Sequence, residues 1–233
     1  METLLEFDER VGPFQTDSVP DEPVFGLPAS LEQKVVPRVG MLRPFHGDTI
    51  AYFLDDRARE LVGVIANELH DRFGDSLSLP LPVEMAHVTL HDLHAGPDRE
   101  RVWPVVEADA AKVAELVAQA RTVGPIRTRC TTVFNLVNTS VVIGIRAVDE
   151  GGHHKLLSAR RVFDKIVPSG PFTPHITVAY YRPEAPTPLS PDKLRSALDE
   201  LTGQVAGKAV MLAPERLHVL RFDSMSNYWL SQP

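Results

Sequence analysis

Two short segments of the chain carry the same pattern. One reads Ala86-His87-Val88-Thr89-Leu90 and the other Pro174-His175-Ile176-Thr177-Val178. Both alternate polar and apolar residues with period two, the signature of a half-buried strand. Successive side chains of a strand point to opposite faces. His87 and Thr89 therefore share one face, with Val88 and Leu90 behind them, and His175 and Thr177 share another, with Ile176 and Val178 behind. A fold that accommodates both must supply two such strands, each with an apolar layer at its back.

The 233 residues, 43% of them hydrophobic, suffice for a core of ordinary size. Residues 1–34 are acidic and proline-rich with weak periodicity and read as a largely irregular arm. From there, strands are expected at Lys34–Leu42 and Asp48–Leu54, then a helix at Asp55–Phe73 whose apolar stripe runs through Ala58, Leu61, Val62, Ile65, Leu69 and Phe73. A strand follows at Glu84–Leu93 and a helix at Asp109–Val123. Ile126–Val137 and Ser140–Val148 read as a hairpin, His153–Val167 as a helix, and Pro174–Tyr181 as a strand. Ser190 and Pro191 open a helix, and strands at Ala209–Leu212 and Glu215–Phe222 close the list. Hairpins mixed with helices outside strict β-α-β order define an α+β class.

A net charge of −7 argues against a long, non-specific grip on nucleic acid but leaves room for a small nucleotide or an RNA end in a local pocket. Cys130 stands alone, so no intrachain disulfide or cysteine-based zinc site is expected. The N-terminal stretch is acidic where a signal peptide is basic, and no apolar run reaches membrane-spanning length. The expectation is a cytoplasmic protein without a membrane partner.

Two imidazoles suit the cleavage of a phosphodiester. One acts as base for the nucleophile and the other as acid for the leaving oxygen, because histidine titrates near neutrality. Two threonine hydroxyls can donate to the non-bridging oxygens. The two motifs, their separation and the lead-in Phe172-Thr173-Pro174-His175 resemble the 2H phosphoesterase superfamily, which includes 2′–5′ RNA ligase-like proteins and cyclic phosphodiesterases. The stretch Pro44-Phe45-His46-Gly47-Asp48-Thr49 is similar to one uncharacterised branch of it. The resemblance implies a single bilobal domain over 35–233, with two antiparallel sheets related by a pseudo-two-fold and a cleft between them. It implies catalytic roles for His87 and His175 and phosphate binding by Thr89 and Thr177. The expected substrate is a 2′,3′-cyclic phosphate, a 2′–5′ linkage or a related small phosphodiester, with no metal or other cofactor.

Strand parity adds His91 and Tyr181 as candidate substrate contacts on the same faces as His87 and His175. Arg182, Thr49 and Tyr52 read as ordinary surface or strand residues, and His153 and His154 as exposed at a helix start. Two other readings compete. The cleft could hold a nucleotide or RNA end without turning it over. Alternatively His87, His91 and His94, spaced i, i+4, i+7, would line one face of a helix and could hold zinc for a hydrolase. Against zinc stand the β-prone Val88-Thr89-Leu90 and the absence of a glutamate after His87. No Gly-x-Ser-x-Gly elbow is present, and nothing around Cys130 marks it as a nucleophile.

Overall fold

The structure, a computed structural model, describes residues 1–21 and 25–231. Among the described residues, five α-helices and eight strands follow the order α1 (Leu4–Thr16), β1 (His46–Phe53), α2 (Asp56–Phe73), β2 (His87–Gly96), α3 (Arg99–Arg121), β3 (Ile126–Leu136), β4 (Ser140–Ala147), α4 (Glu150–Arg161), β5 (His175–Tyr180), α5 (Pro191–Val205), β6 (Ala209–Leu212), β7 (Leu217–Ser224) and β8 (Asn227–Leu230). The strands of the described residues form two four-stranded antiparallel sheets, β2-β1-β7-β8 and β5-β4-β3-β6. The class is α+β, as the element pattern predicts.

The two sheets are laid out alike. β2 and β5, the motif strands, are each an edge strand with a long inner neighbour, β1 or β4. Val88 and Leu90 behind β2, and Ile176 and Val178 behind β5, are buried in one core that runs through both sheets. Helices cross between the halves. α2, which follows β1, packs on β5, and α4, which follows β4, packs on β2. β2 and β5 also touch, which brings the two motifs to one seam.

Each motif strand carries a bulge at the same place. β1 pairs Ile50 with His91 but Ala51 with Thr89, so Leu90 is the extra residue. β4 pairs Val141 with Ala179 but Val142 with Thr177, so Val178 is extra. A bulge sets two residues against one and reverses the alternation beyond it. The consequence for the site is large.

Several elements depart from sequence expectation. The arm expected to be irregular over 1–34 contains helix α1, opened by a reciprocal capping box between Thr3 and Glu6. Leu4, Phe7 and Val11 are buried on one side of it. It is held by Asp8, whose two carboxylate oxygens accept from Nε and Nη2 of Arg146 at 2.6 and 2.5 Å, and by the Leu4 N–H donating to Glu150 at 2.9 Å. Phe7 covers His153, so His153 is buried rather than exposed, while His154 remains half exposed. The strand expected at Lys34–Leu42 reduces to one bridge, Val35 with Leu42, because Arg38 and Gly40 take left-handed backbone and turn the chain. α3 begins ten residues early, at Arg99, capped by the Asp98 carboxylate. Strand β8 has no counterpart among the expected elements.

Candidate active site

The motif faces of β2 and β5 open into one cleft of about 650 Å³, lined by His87, Thr89, His175 and Thr177. The two histidines are held in the same way. The Nδ1–H of His87 donates to the carbonyl of Met85 at 2.7 Å, and that of His175 to the carbonyl of Thr173, also at 2.7 Å. In each case the acceptor lies two residues upstream. A carbonyl can only accept, so Nδ1 carries the proton and Nε2 is left to act on a ligand. Tyr228 packs edge-on against the His87 ring, with centroids 5.0 Å apart, and limits its rotation. Among the described residues, neither Thr89 nor Thr177 spends its hydroxyl on a protein partner, so both remain available as donors.

Burial lowers the pKa of both imidazoles. For His87 the backbone bond to Met85 works the other way, the nearby His175 lowers it further, and Asp92 raises it. For His175 the bond to Thr173 and the charge of Asp92 oppose burial. The charge of His175 acts on the His87 imidazole across the cleft they both line, so protonation of His175 disfavours protonation of His87.

Two parity-based assignments fail at the bulges. His91 does not face the cleft. It is buried on the far side of β2, its Nδ1 bonded to the Asp92 carbonyl at 2.7 Å and its ring against Phe163. The extra residue Leu90 turns it away and brings Asp92 into the cleft instead. Tyr181 is likewise fully buried, stacked edge-on with Phe25, and its hydroxyl finds no partner among the described residues. The bulge at Val178 puts Tyr180 in the cleft in its place. Asp92 and Tyr180 occupy equivalent positions, each five residues beyond its motif histidine.

The three histidines of the zinc reading are not brought together. β2 is a strand, so helical spacing does not apply. His91 faces away from His87, and His94 is clamped between the Asp48 carboxylate at 3.2 Å and that of Asp109 at 3.3 Å. Among the described residues no group of three or more metal-ligating side chains forms.

Further residues of the cleft come from outside the motifs. Arg160 of α4 crosses to β2 and donates to the carbonyl of Leu90, the bulged residue, while its guanidinium lies 4.3 Å from the centroid of Phe172. Lys34 reaches in from the segment before β1, and Tyr228 from β8. No local pattern marks any of the three. Thr49, expected to be an ordinary strand residue, also borders the cleft and donates to the His91 carbonyl at 3.0 Å. Arg182, expected at the surface, is part-buried and donates to the carbonyls of Leu77 and Gly74. No helix of the described residues is long and apolar enough to cross a membrane.

Two imidazoles with outward Nε2 atoms and two uncommitted hydroxyls around one cleft form an arrangement suited to acid–base chemistry on an oxyanion. Solved structures share the fold that carries it. A conserved protein of unknown function from Agrobacterium tumefaciens, ATU0111, superposes with a TM-score of 0.63 at 14% identity, covering 94% of this chain and 96% of its own. TT0787 of Thermus thermophilus superposes with a TM-score of 0.50 at 20% identity, over 79% of this chain and 94% of its own. E. coli LigT complexed with 3′-AMP aligns with a TM-score of 0.49 at 18% identity, over 81% of this chain and 96% of its own. No protein-family model and no curated protein matches the sequence. The two-sheet α+β architecture implied by resemblance to the 2H phosphoesterases is the architecture the chain has.

Proposed function

We propose that the chain is a 2H phosphoesterase that cleaves a small phosphodiester by two-histidine acid–base catalysis without a metal. The observation that carries this is the matched pair of histidines. Each sits at the start of an edge strand, each is fixed through Nδ1 by a carbonyl two residues upstream, and each presents Nε2 to the same cleft.

In this mechanism the neutral histidine takes a proton at Nε2 from the attacking water or hydroxyl. The protonated histidine gives one from Nε2 to the leaving oxygen. Thr89 and Thr177 donate to the non-bridging oxygens, where charge concentrates as the bonds rearrange. The carbonyls of Met85 and Thr173 keep each ring in the tautomer its task requires. Asp92 favours the protonated form of whichever imidazole serves as acid, offsetting part of the burial that disfavours it. Chain-wide negative charge and a nucleotide-sized cleft favour 2′,3′-cyclic phosphates, 2′–5′ linkages or related small diesters over long nucleic acid.

The test is a panel of cyclic phosphates and short 2′–5′ and 3′–5′ oligonucleotides, incubated with purified protein with and without EDTA. Turnover of a diester, unchanged by EDTA, is the expected result. Binding without turnover would favour the nucleotide-holding reading, and activity lost to EDTA and restored by zinc would overturn metal independence.

A further inference from the structure

We propose that Lys34 holds a second anionic group of the ligand, so that the preferred substrate is a phosphodiester carrying a further phosphate about one sugar away from the reacting one. This rests on the phosphodiester reading above.

Lys34 is locked in place by its own backbone. Its N–H donates to Leu31 at 2.9 Å and its carbonyl accepts from Arg43 at 2.8 Å, on either side of the Val35–Leu42 bridge. The side chain is half-buried and lines the cleft. Its ammonium lies 5.1 Å from the centroid of Phe45 and 5.7 Å from that of Tyr180. Among the described residues it has no carboxylate within ion-pair range and no hydrogen-bond acceptor. A half-desolvated ammonium is costly without an ion-paired partner, and two aromatic faces and the more distant charge of Asp92 recover only part of that cost. Burial accordingly pulls its pKa down. An ammonium with three unspent donors on the wall of an anion-binding cleft is completed by a phosphate.

The reacting phosphate is not that partner. Phe53 pairs with His87 and His46 with Gly96, so Phe45 lies beyond the end of β1 remote from His87, and Tyr180 closes the strand that His175 opens. The ammonium, against both rings, therefore lies toward the end of the cleft remote from the two histidines. β5 gives the scale. Tyr180 stands three residues beyond Thr177, so at roughly 3.3 Å per residue its Cα lies up to about 10 Å along the strand from that of Thr177, and the ammonium sits 5.7 Å from its ring. Two phosphates on one sugar fit that span once the length of the ammonium–phosphate contact is allowed for. Asp92, which lines the same cleft, can accept a hydrogen bond from a hydroxyl of that sugar.

The experiment compares adenosine 3′-monophosphate with adenosine 3′,5′-bisphosphate by titration calorimetry on wild type, Lys34→Met and Lys34→Arg. Wild type should bind the bisphosphate about tenfold more tightly, the worth of one charge-assisted hydrogen bond set. Lys34→Met should bring the ratio to within about twofold and leave monophosphate affinity within about threefold, while Lys34→Arg keeps most of the preference. If Lys34→Met fails to fold, Lys34→Gln serves in its place. Equal affinities in wild type, equal weakening of both ligands by Lys34→Met, or no binding of either by wild type would overturn the assignment. A Lys34-dependent preference in a protein that turns over no diester would support the subsite and sink the catalytic reading instead.

Discussion

Arg160→Met tests how the two halves of the cleft are held in register. Arg160 belongs to α4, which packs on β3 and β4 of one sheet and on β2 of the other, and it donates to Leu90 on β2 and lies over Phe172 in the lead-in to His175. Methionine keeps much of the apolar stem and removes the guanidinium. A hydrogen bond from a charged donor is worth about 1.5–3 kcal/mol and a partly desolvated cation–π contact about 0.5–2. Burial of the guanidinium, which also depresses its pKa, offsets part of both. The net loss should be about 1–3 kcal/mol, or roughly 3–10 °C in Tm for a chain of this size. The functional cost should be larger in proportion. Leu90 is the bulged residue that orients Asp92, and an error of about 1 Å in placing catalytic groups costs up to about a hundredfold. Urea unfolding and kcat/KM on the substrate found by the panel read the two effects. A variant within about 0.5 kcal/mol of wild type, with unchanged kcat/KM, would refute the claim that this contact sets the cleft.

Other consequences can be checked more quickly. Gly47→Ala places a Cβ 2.1 Å from the His94 carbonyl and 2.6 Å from the Phe222 ring, so it should destabilise the protein by about 2 kcal/mol or more in urea unfolding; a neutral result would contradict the packing of β1 on β2. The histidines lowered by burial, His87, His175, His153 and His218, bind protons more tightly unfolded than folded. Their contribution is complete above the unfolded value of about 6.5 and is lost as pH falls below it. Tm should therefore drop between pH 7 and pH 5, and a His87→Gln, His175→Gln double variant should show a shallower drop; an equal slope in both proteins would contradict the burial account. Asp92→Asn removes a charge that favours both imidazolium forms, so the acid limb of the kcat/KM profile should move to lower pH, and an unmoved limb would remove Asp92 from the mechanism.

The motif strands, the hairpin of β3 and β4 and helices α2 and α5 were legible because each has clean periodicity and, for the helices, a capping side chain in Asp55 or Ser190. The same rule that placed His87 and Thr89 misplaced His91, and that for His175 misplaced Tyr181. Alternation holds only until a bulge, and a bulge at Leu90 or Val178 leaves no mark in composition. Asp92 and Tyr180 were hidden for the same reason. Helix α1 was legible in principle, since Thr3 and Glu6 form a capping box, but Pro13 and the acidic composition obscured it. Pro104, which sits inside α3, hid the first ten residues of that helix in the same way. Lys34, Arg160 and Tyr228 reach the cleft from distant elements, and only tertiary packing brings them there.

The most direct measurement of the central claim is the pH dependence of kcat/KM for wild type, His87→Ala, His175→Ala and the double variant. Only enzyme with one proton placed correctly between the two histidines is active, so the wild-type profile should be bell-shaped. Because burial lowers both pKa values, its maximum should fall on the acid side of the ordinary histidine value. Each single variant should lose about 10²–10⁴-fold and one limb of the bell, and the double variant far less than the product of the two, since the residues act as a unit. Near-normal turnover by His175→Ala, with both limbs intact, would contradict the two-histidine mechanism.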